Sequence, residues 1–250
     1  FTGHSWRFEQ KSNLISRWLF FYYEKFICKK SDVITFLTSH DLKTGISKGL
    51  VNEKKGLVIS TRINTTDFQN VSLNSVNKLK EILGIPEDAI VVGNSGYMSE
   101  RKDPMTFIYT ASEVLKKNPN VYFLWVGDGD LKNKALELSE TLKINDKIIF
   151  TGFVLSSKMP IYLNAMDIFL FTSHIEGVPL SILEAQAANL PVICSNYIGS
   201  GVDELIVDGK TGYIFEIGDY LKASEKIILI INDTEKKQSL ISEMQIKLIN

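Results

Sequence analysis

The segment Thr172–Ala185 holds the residues whose types and spacing best suit chemistry. A predicted strand is followed by a loop with Glu176 and Gly177, and Pro179 is placed to be the first residue of a helix. The free N–H groups and the dipole at such a helix start favour an anion, and a diphosphate suits them well. Glu184 follows in the second turn, so one carboxylate suits a ribose diol and the other a sugar hydroxyl. The alternative is an ordinary strand-to-helix junction with solvated glutamates.

Short apolar runs that alternate with longer amphipathic segments predict the elements that position these residues. The predicted strands are 90–93, 121–126, 147–150, 168–171, 191–194 and 212–215. The predicted helices are 105–117, 131–142, 157–164, 180–188, 221–231 and 235–248. This alternation predicts an α/β fold with parallel strands and helices on both faces of the sheet. Ligands in such folds bind beyond the carboxyl ends of the strands.

The first 70 residues are predicted to form a shorter α/β unit, with helices at 14–29 and 40–48 and strands at 32–36 and 56–59. Two strands do not make a stable sheet alone, so we expect neighbouring strands to be missing on the N-terminal side. The predicted division of the chain is a first domain at 1–70, a connection at 71–85 and a second domain at 86–250.

Composition excludes several classes of protein. With 44% hydrophobic residues, 16 Gly and 6 Pro, the chain is neither collagen-like nor disordered. A net charge of −1 argues against nucleic acid as the partner. Residues 1–87 nevertheless hold 13 Lys and Arg against 8 Asp and Glu, a balance that suits an anionic partner. Cys28 and Cys194 have apolar neighbours and are predicted to be buried thiols in a reducing compartment.

Five motifs follow one another along the chain: Gly96–Pro104, Trp125–Gly129, Phe150–Phe153, Glu176–Glu184 and Asp208–Gly212. Together they resemble the retaining glycosyltransferases of family 4, within the glycosyl transferases group 1, and the fourth resembles that family's Glu-x7-Glu motif. The resemblance implies a GT-B fold of two Rossmann-like domains, with the N-terminal domain truncated and the C-terminal one essentially complete.

The implied activity is transfer of a sugar, with retention, from a UDP- or GDP-linked donor to a polysaccharide or glycolipid acceptor, without metal or cofactor. By resemblance, Glu184 would bind the ribose hydroxyls and Glu176 the donor sugar. Lys102 would neutralise the diphosphate with help from backbone N–H groups, and Phe153 would border the nucleobase. The other positions implied to line the donor site are Gly96, Tyr97, Arg101, Gly127, Ser173, Gly177, Val178, Pro179, Leu180 and Ser181.

Tyr97 departs from the family pattern, which usually has an arginine directly after the loop glycine. A tyrosine cannot supply a bidentate cationic fork. Two alternatives follow: Arg101, beside Lys102, substitutes for the missing cation, or the site is weakened or inactive.

The run Asp128-Gly129-Asp130 matches the Asp-x-Asp signature by which GT-A glycosyltransferases hold a metal ion. The neighbouring motifs resemble the GT-B arrangement instead, so Asp130 is predicted to cap a helix that begins at Leu131. A dinucleotide fingerprint is weak here as well, because Gly127-x-Gly129 lacks a third glycine.

His4 lies where the family has a His-Gly loop that faces the donor sugar, so the resemblance implies a catalytic position. The alternative for His4 is a surface or capping residue. His40 and His174 are predicted to be structural, at a helix start and in the loop before Glu176.

The aromatic stretch Arg17–Ile27, followed by Lys29 and Lys30, has two interpretations. It is predicted to be a domain helix whose aromatics pack in the core, and the alternative is an interfacial membrane helix. No apolar run approaches the ~20 residues of a membrane span. We expect a cytoplasmic protein, with peripheral contact at the inner face of the cell membrane as an open alternative.

Two other functions stay open. Nucleotide-sugar 2-epimerases share the GT-B fold, but they need acid and base groups for which the chain has no evident extra set. A non-catalytic nucleotide-sugar-binding GT-B fragment is favoured by Tyr97 and by the truncated first domain.

Overall fold

The computed structural model describes residues 1–3, 6–9, 13–199 and 201–249, so His4 lies outside the described residues. The chain forms two compact units. The first comprises Phe1–Arg62 with Ile175–Pro179 and Tyr197–Leu205, and the second comprises the rest of the chain. The proposed boundaries at residues 70 and 86 stay a prediction, and the segment between them contains helix Leu73–Ile82.

The first unit contains a parallel sheet in the order β1-β2-β3. Its elements are β1 (Thr2–Gly3), α1 (Leu14–Lys30), β2 (Ile34–Phe36), α2 (Ser39–Ser47) and β3 (Gly56–Val58), with a 3-10 turn at Arg7–Glu9. The sequence predicted every helix and strand here except β1, which is only two residues long. The core of the unit includes Trp6, Phe8, Cys28, Ile34 and Phe36.

Helix α1 turns its aromatic residues outward. The residues at helical spacing on this face are exposed: Ile15, Trp18, Leu19, Tyr22, Tyr23 and Phe26. Glu24 and Cys28 on the opposite side are buried, and the Glu24 carboxylate accepts the Arg7 N–H at 3.1 Å. The prediction that the aromatics of this stretch pack in the core is therefore wrong for most of them.

Three further short elements belong to the first unit: β8 (Ile175–Glu176), β10 (Ile198–Gly199) and α9 (Val202–Leu205). β8 and β10 pair in parallel, so Glu176 lies in a short strand and not in a free loop. The Glu204 carboxylate accepts hydrogen bonds from the backbone N–H groups of Ser39 at 3.1 Å and His40 at 2.6 Å. This negative charge is favourably placed at the start of α2.

The second unit is built on six parallel strands in the spatial order β11-β9-β7-β4-β5-β6. These strands are β4 (Ile90–Ser95), β5 (Val121–Val126), β6 (Ile148–Phe150), β7 (Ile168–Phe171), β9 (Val192–Ser195) and β11 (Gly212–Phe215). Renumbered within the unit, the order is 3-2-1-4-5-6, that of dinucleotide-binding folds. The predicted parallel α/β architecture is confirmed. The first three strands of the unit are added toward one edge of the sheet and the last three toward the other, so the strand order reverses between β4 and β7. Ligands of such sheets bind beside this switch point.

The helices of the second unit are α3 (Thr66–Gln69), α4 (Leu73–Ile82), α5 (Pro104–Leu115), α6 (Lys132–Thr141), α7 (Met159–Asn164), α8 (Leu180–Ala187), α10 (Tyr220–Asn232) and α11 (Thr234–Ile249), with a 3-10 turn at Ser156–Lys158 before α7. The sequence predicted all of them to within a few residues except α3 and α4, which it missed. Phe107 of α5 meets the rings of Phe123 and Trp125 edge-on, with centroids 5.6 and 5.2 Å apart. These contacts fix α5 on the sheet. Within the described residues, none of the helices is both long and apolar enough to cross a membrane.

Candidate functional site

The loops after β4 and β5 lie directly on one another at the carboxyl edge of the sheet. The N–H of Gly96 bonds to the carbonyl of Val126 at 3.0 Å, and the N–H of Met98 bonds to that of Asp128 at 2.8 Å. Gly127 has φ +148°, and a Cβ there would collide with the carbonyl oxygen of Gly96. Two backbones can approach this closely only without a side chain between them. Gly96 and Gly127, both predicted site residues, are thus brought together.

Lys102 lies across the Gly96 turn. Its Cε is 3.3 Å from the position that a Cβ on Gly96 would occupy, and its Nζ is 4.7 Å from the centre of the Phe171 ring. Phe171 is the last residue of β7 and is fully buried. The Lys102 ammonium group therefore lies at the switch point, between the carboxyl ends of β4 and β7.

Residues that follow β7 hold the backbone of the Lys102 loop. The Thr172 hydroxyl lies 2.8 Å from the carbonyl oxygen of Lys102 and 3.0 Å from that of Asp103, and donates to them. The N–H of His174 donates to the carbonyl of Arg101 at 2.8 Å, and His174 Nε2 lies 2.8 Å from Asp103 Oδ2. His174, predicted to be structural, therefore contacts the loop that carries Lys102.

Tyr97 and Arg101 flank this loop with exposed side chains. The Tyr97 hydroxyl donates to Asp130 Oδ1 at 2.7 Å, and this hydrogen bond to a carboxylate raises the pKa of Tyr97. Tyr97 thus ties the loop after β4 to the turn after β5. It adds no positive charge where the family usually has one.

Both carboxylates of the Asp128-Gly129-Asp130 run have partners in the folded chain. Asp128 accepts the N–H of Gly129 at 2.9 Å and lies 3.7 Å from Lys132 Nζ, while Asp130 accepts from Tyr97. Helix α6 begins at Lys132, and Leu131 is its cap without a side-chain hydrogen bond. The prediction that Asp130 caps this helix is therefore wrong, because its carboxylate is engaged by Tyr97.

Several hydroxyls near this edge are buried without a hydrogen-bond partner among the described residues. They belong to Ser173 and Ser181, which were predicted site residues, and to Ser95, which was missed. Ser95 ends β4 directly before Gly96, and that position could have flagged it. A buried polar group left unpaired is costly, so such groups commonly pair with water or ligand.

Glu184 is half-buried in α8, in the second turn as predicted. Burial raises the pKa of its carboxyl above the ordinary value. A carboxylate that is desolvated in this way gains from hydroxyl donors of a ligand. Leu180 and Ser181 form the start of the same helix, and Leu180 is exposed. Phe153, predicted to border the base, is 78% exposed.

The remaining predicted residues, Glu176, Gly177, Val178 and Pro179, pack with the first unit. Pro179 precedes α8 and is not its first residue, as had been predicted. Glu176 is buried within β8. The roles assigned by resemblance to all of these residues stay predictions.

Comparison with known proteins identifies the family. Residues 75–246 match the family described as glycosyl transferases group 1. Since the match covers more than half of the chain, the chain belongs to this family, as the motifs predicted. The narrower assignment to family 4 stays a prediction.

The chain is similar to longer glycosyltransferases. It is 27% identical over 239 residues to the Escherichia coli UDP-Gal:α-D-GlcNAc-diphosphoundecaprenol α-1,3-galactosyltransferase, a match of 93% of this chain and 59% of that protein. It is 30% identical over 199 residues to the capsular polysaccharide biosynthesis glycosyltransferase CapM of Staphylococcus aureus, a match of 78% of this chain and 51% of that protein. The chain thus spans between half and three fifths of these relatives.

A solved structure confirms the fold. Anabaena HepE, crystallised with UDP and glucose, superposes with a TM-score of 0.83 at 20% identity, over 98% of this chain and 65% of HepE. At this identity the likeness is one of fold, and it matches the predicted GT-B architecture.

The contact between Gly127 and Gly96 makes a prediction about the two loops. Gly127→Ala should push the Gly96 loop away and speed amide hydrogen exchange at Gly96 and Met98, whose N–H groups bond across the contact. Gly84→Ala is the matched control, because Gly84 also has positive φ, at +69°, but open space around it. That control should lose about 1–2 kcal/mol of stability and keep both amides protected. Unchanged exchange in Gly127→Ala would contradict the contact.

Proposed function

We propose that this chain is the donor-binding part of a retaining glycosyltransferase. The enzyme would move a sugar from a nucleoside-diphosphate sugar to a polysaccharide or glycolipid acceptor. The observation that carries this proposal is that three features meet at the switch point of a parallel sheet. They are Lys102, the Gly96–Gly127 contact and the buried Ser173 hydroxyl, which has no hydrogen-bond partner among the described residues. That is where nucleotides bind in this architecture.

The diphosphate is the natural ligand for this arrangement. An ammonium group at the strand ends supplies positive charge, and α8, which begins at Leu180 after the short strand β8, would add N–H groups and the positive end of its dipole. In transfer, negative charge grows on the leaving diphosphate as the bond to the sugar breaks. Fixed donors and a cation at that position stabilise the transition state more than the ground state.

The identity of the donor and acceptor is supported by the relatives. The Escherichia coli relative is named for UDP-Gal and a lipid-linked diphosphate sugar, and HepE was solved with UDP. We therefore propose a UDP-linked donor first, a GDP-linked donor second, and a lipid-linked saccharide as acceptor. Glu184 would accept the ribose hydroxyls, and Glu176 would meet the donor sugar.

Product analysis tests this function. Protein containing the chain is incubated with labelled UDP- or GDP-sugars and lipid-linked saccharide acceptors, and the anomeric configuration of the product is read by NMR. We expect transfer with retention and unchanged turnover in EDTA, because Asp128 and Asp130 are engaged by Lys132 and Tyr97. An epimerised free sugar, or nucleotide binding without turnover, would contradict a transferase. Loss of turnover in EDTA that manganese restores would contradict metal independence alone.

A second prediction concerns Glu184. Two hydrogen bonds to a charged acceptor are worth about 1.5–3 kcal/mol each, so Glu184→Gln should lower nucleotide affinity at least about tenfold. Hydrogen bonds from the ribose hydroxyls favour the charged form of the Glu184 carboxylate, and burial raises the pKa of this group. The affinity advantage of wild type over Glu184→Gln should therefore shrink as the pH falls toward that raised pKa.

Calorimetry with UDP and GDP across pH measures this advantage. Glu137→Gln, at an exposed position of α6, is the charge-matched control and should leave affinity unchanged. Equal affinities of wild type and Glu184→Gln at neutral pH would sink the ribose assignment. The unliganded Glu184→Gln protein should be no less stable than wild type, since burial penalises the charged carboxylate.

We further propose that the exposed face of α1 meets an anionic lipid surface. Aromatic and aliphatic side chains line this face, with Trp18 at 60% and Phe26 at 61% exposure, and Lys29 and Lys30 end the helix. Apolar groups at the acyl boundary and cations at the head groups are the pattern of interfacial helices. A lipid-linked acceptor would be presented at such a surface.

Vesicle sedimentation tests this contact. The chain should bind vesicles containing phosphatidylglycerol and bind pure phosphatidylcholine weakly, with a blue shift of Trp18 fluorescence, since Trp6 and Trp125 are already buried. Replacing Trp18 and Phe26 with serine should abolish binding, and Ile82→Ser, at an exposed apolar position of α4, should not. Absence of binding to anionic vesicles, or self-association through this face instead, would contradict the proposal.

A further inference from the structure

We propose that Thr172 and His174 are positioning residues that act on donor binding through Lys102, an inference that rests on the proposed function. Neither was implied by the family motifs to contact the donor. Both follow β7, the neighbour of β4 across the switch point, and both bond to the loop that carries Lys102.

The loop has a strained turn directly after Lys102. Asp103 has φ +45° and ψ +67°, a left-handed conformation that is unfavourable for a residue with a Cβ. Such a conformation persists where the surroundings fix it. Here the turn reverses the chain between Lys102 and the start of α5 at Pro104.

Three sets of contacts fix this turn. The buried Thr172 hydroxyl bonds to the carbonyls on both sides of it, those of Lys102 and Asp103. The Asp103 side chain accepts from the N–H and the hydroxyl of Thr106, at 3.1 and 2.5 Å, and so caps α5. His174 Nε2 contacts the same carboxylate at 2.8 Å, while its backbone N–H holds the carbonyl of Arg101.

Consequently the backbone of residues 101–103 is held by Thr172 and His174, which follow β7, and by Thr106 of α5. The Lys102 side chain lies over Gly96 and the Phe171 ring. A lysine has four rotatable bonds and loses much rotamer freedom when it binds a phosphate. A fixed backbone and a ring that holds the ammonium reduce that loss before the ligand arrives. Thr172 and His174 would therefore raise the affinity for the diphosphate without touching it.

The decisive test compares Thr172→Val with Thr172→Ser in calorimetric titrations of the whole chain with UDP and with GDP. Valine matches the shape of threonine but loses the hydroxyl, and serine keeps it. For whichever nucleotide the wild type binds, Thr172→Val should lower the affinity about fivefold, and Thr172→Ser should keep the affinity of the wild type. If Thr172→Val does not fold, the same comparison is made at His174, which is partly exposed. There His174→Ala removes the contact, and His174→Gln is the conservative counterpart.

The same substitutions are then repeated on Lys102→Ala. If Thr172 and His174 act through Lys102, their effects should disappear in this background, whereas a general loss of structure would lower affinity in both. Effects of equal size in both backgrounds would overturn the inference.

The inference would also be overturned if Lys102→Ala weakens binding but the Thr172 and His174 variants do not. That result would leave the proposed function intact. A silent Lys102→Ala would overturn the role of Lys102 itself, and failure of wild type to bind either nucleotide would overturn the proposed function.

Discussion

The anchoring of the Lys102 loop by the residues that follow β7 is the interaction on which the proposed donor site depends. The parallel order of the sheet makes that anchoring available, because it sets the carboxyl ends of β4 and β7 side by side. The chain leaves β4, turns over Gly96 and is held by Thr172 and His174 before α5 begins. The loop after β5 supports the same turn from the other side, through Gly127.

Charge at this edge is distributed differently from the usual family pattern. Tyr97 stands where the family usually has an arginine. Its hydroxyl donates to Asp130, so it links two loops and adds no positive charge. Lys102 supplies a positive charge at the strand ends, and Arg101, next to it in sequence, is exposed. The firmly held Lys102 backbone would help the proposed site to bind a diphosphate without the arginine that the resemblance implies.

Much of the fold could be predicted from the sequence because strands buried on both faces leave unbroken apolar runs. Val121–Val126 and Gly212–Phe215 have the bounds that the pattern predicted. β1, β8 and β10 were missed because two residues carry no periodicity, and the helices α3, α4 and α9 were missed as well. The outward face of α1 was misjudged, since spacing alone does not say which side of an amphipathic helix meets the core.

The motifs named residues that the structure brings together at one edge of the sheet, but not the contacts between them. Lys102, Gly96 and Gly127 could be named because close backbone approach and charge restrict which residues fit such a turn. The pairing of His174 with Asp103 and of Tyr97 with Asp130 joins residues far apart in sequence. No local pattern encodes such pairs, and for the same reason the role of Asp130 as a helix cap was predicted wrongly.

A crystal structure of the chain with UDP bound would test the role of Lys102 directly. We expect density for the diphosphate at the switch point, with a phosphate oxygen within hydrogen-bond distance of Lys102 Nζ and the Arg101–Asp103 backbone in its present conformation. Density for the diphosphate elsewhere on the second unit, with Lys102 still lying over Phe171 and making no contact to phosphate, would contradict it.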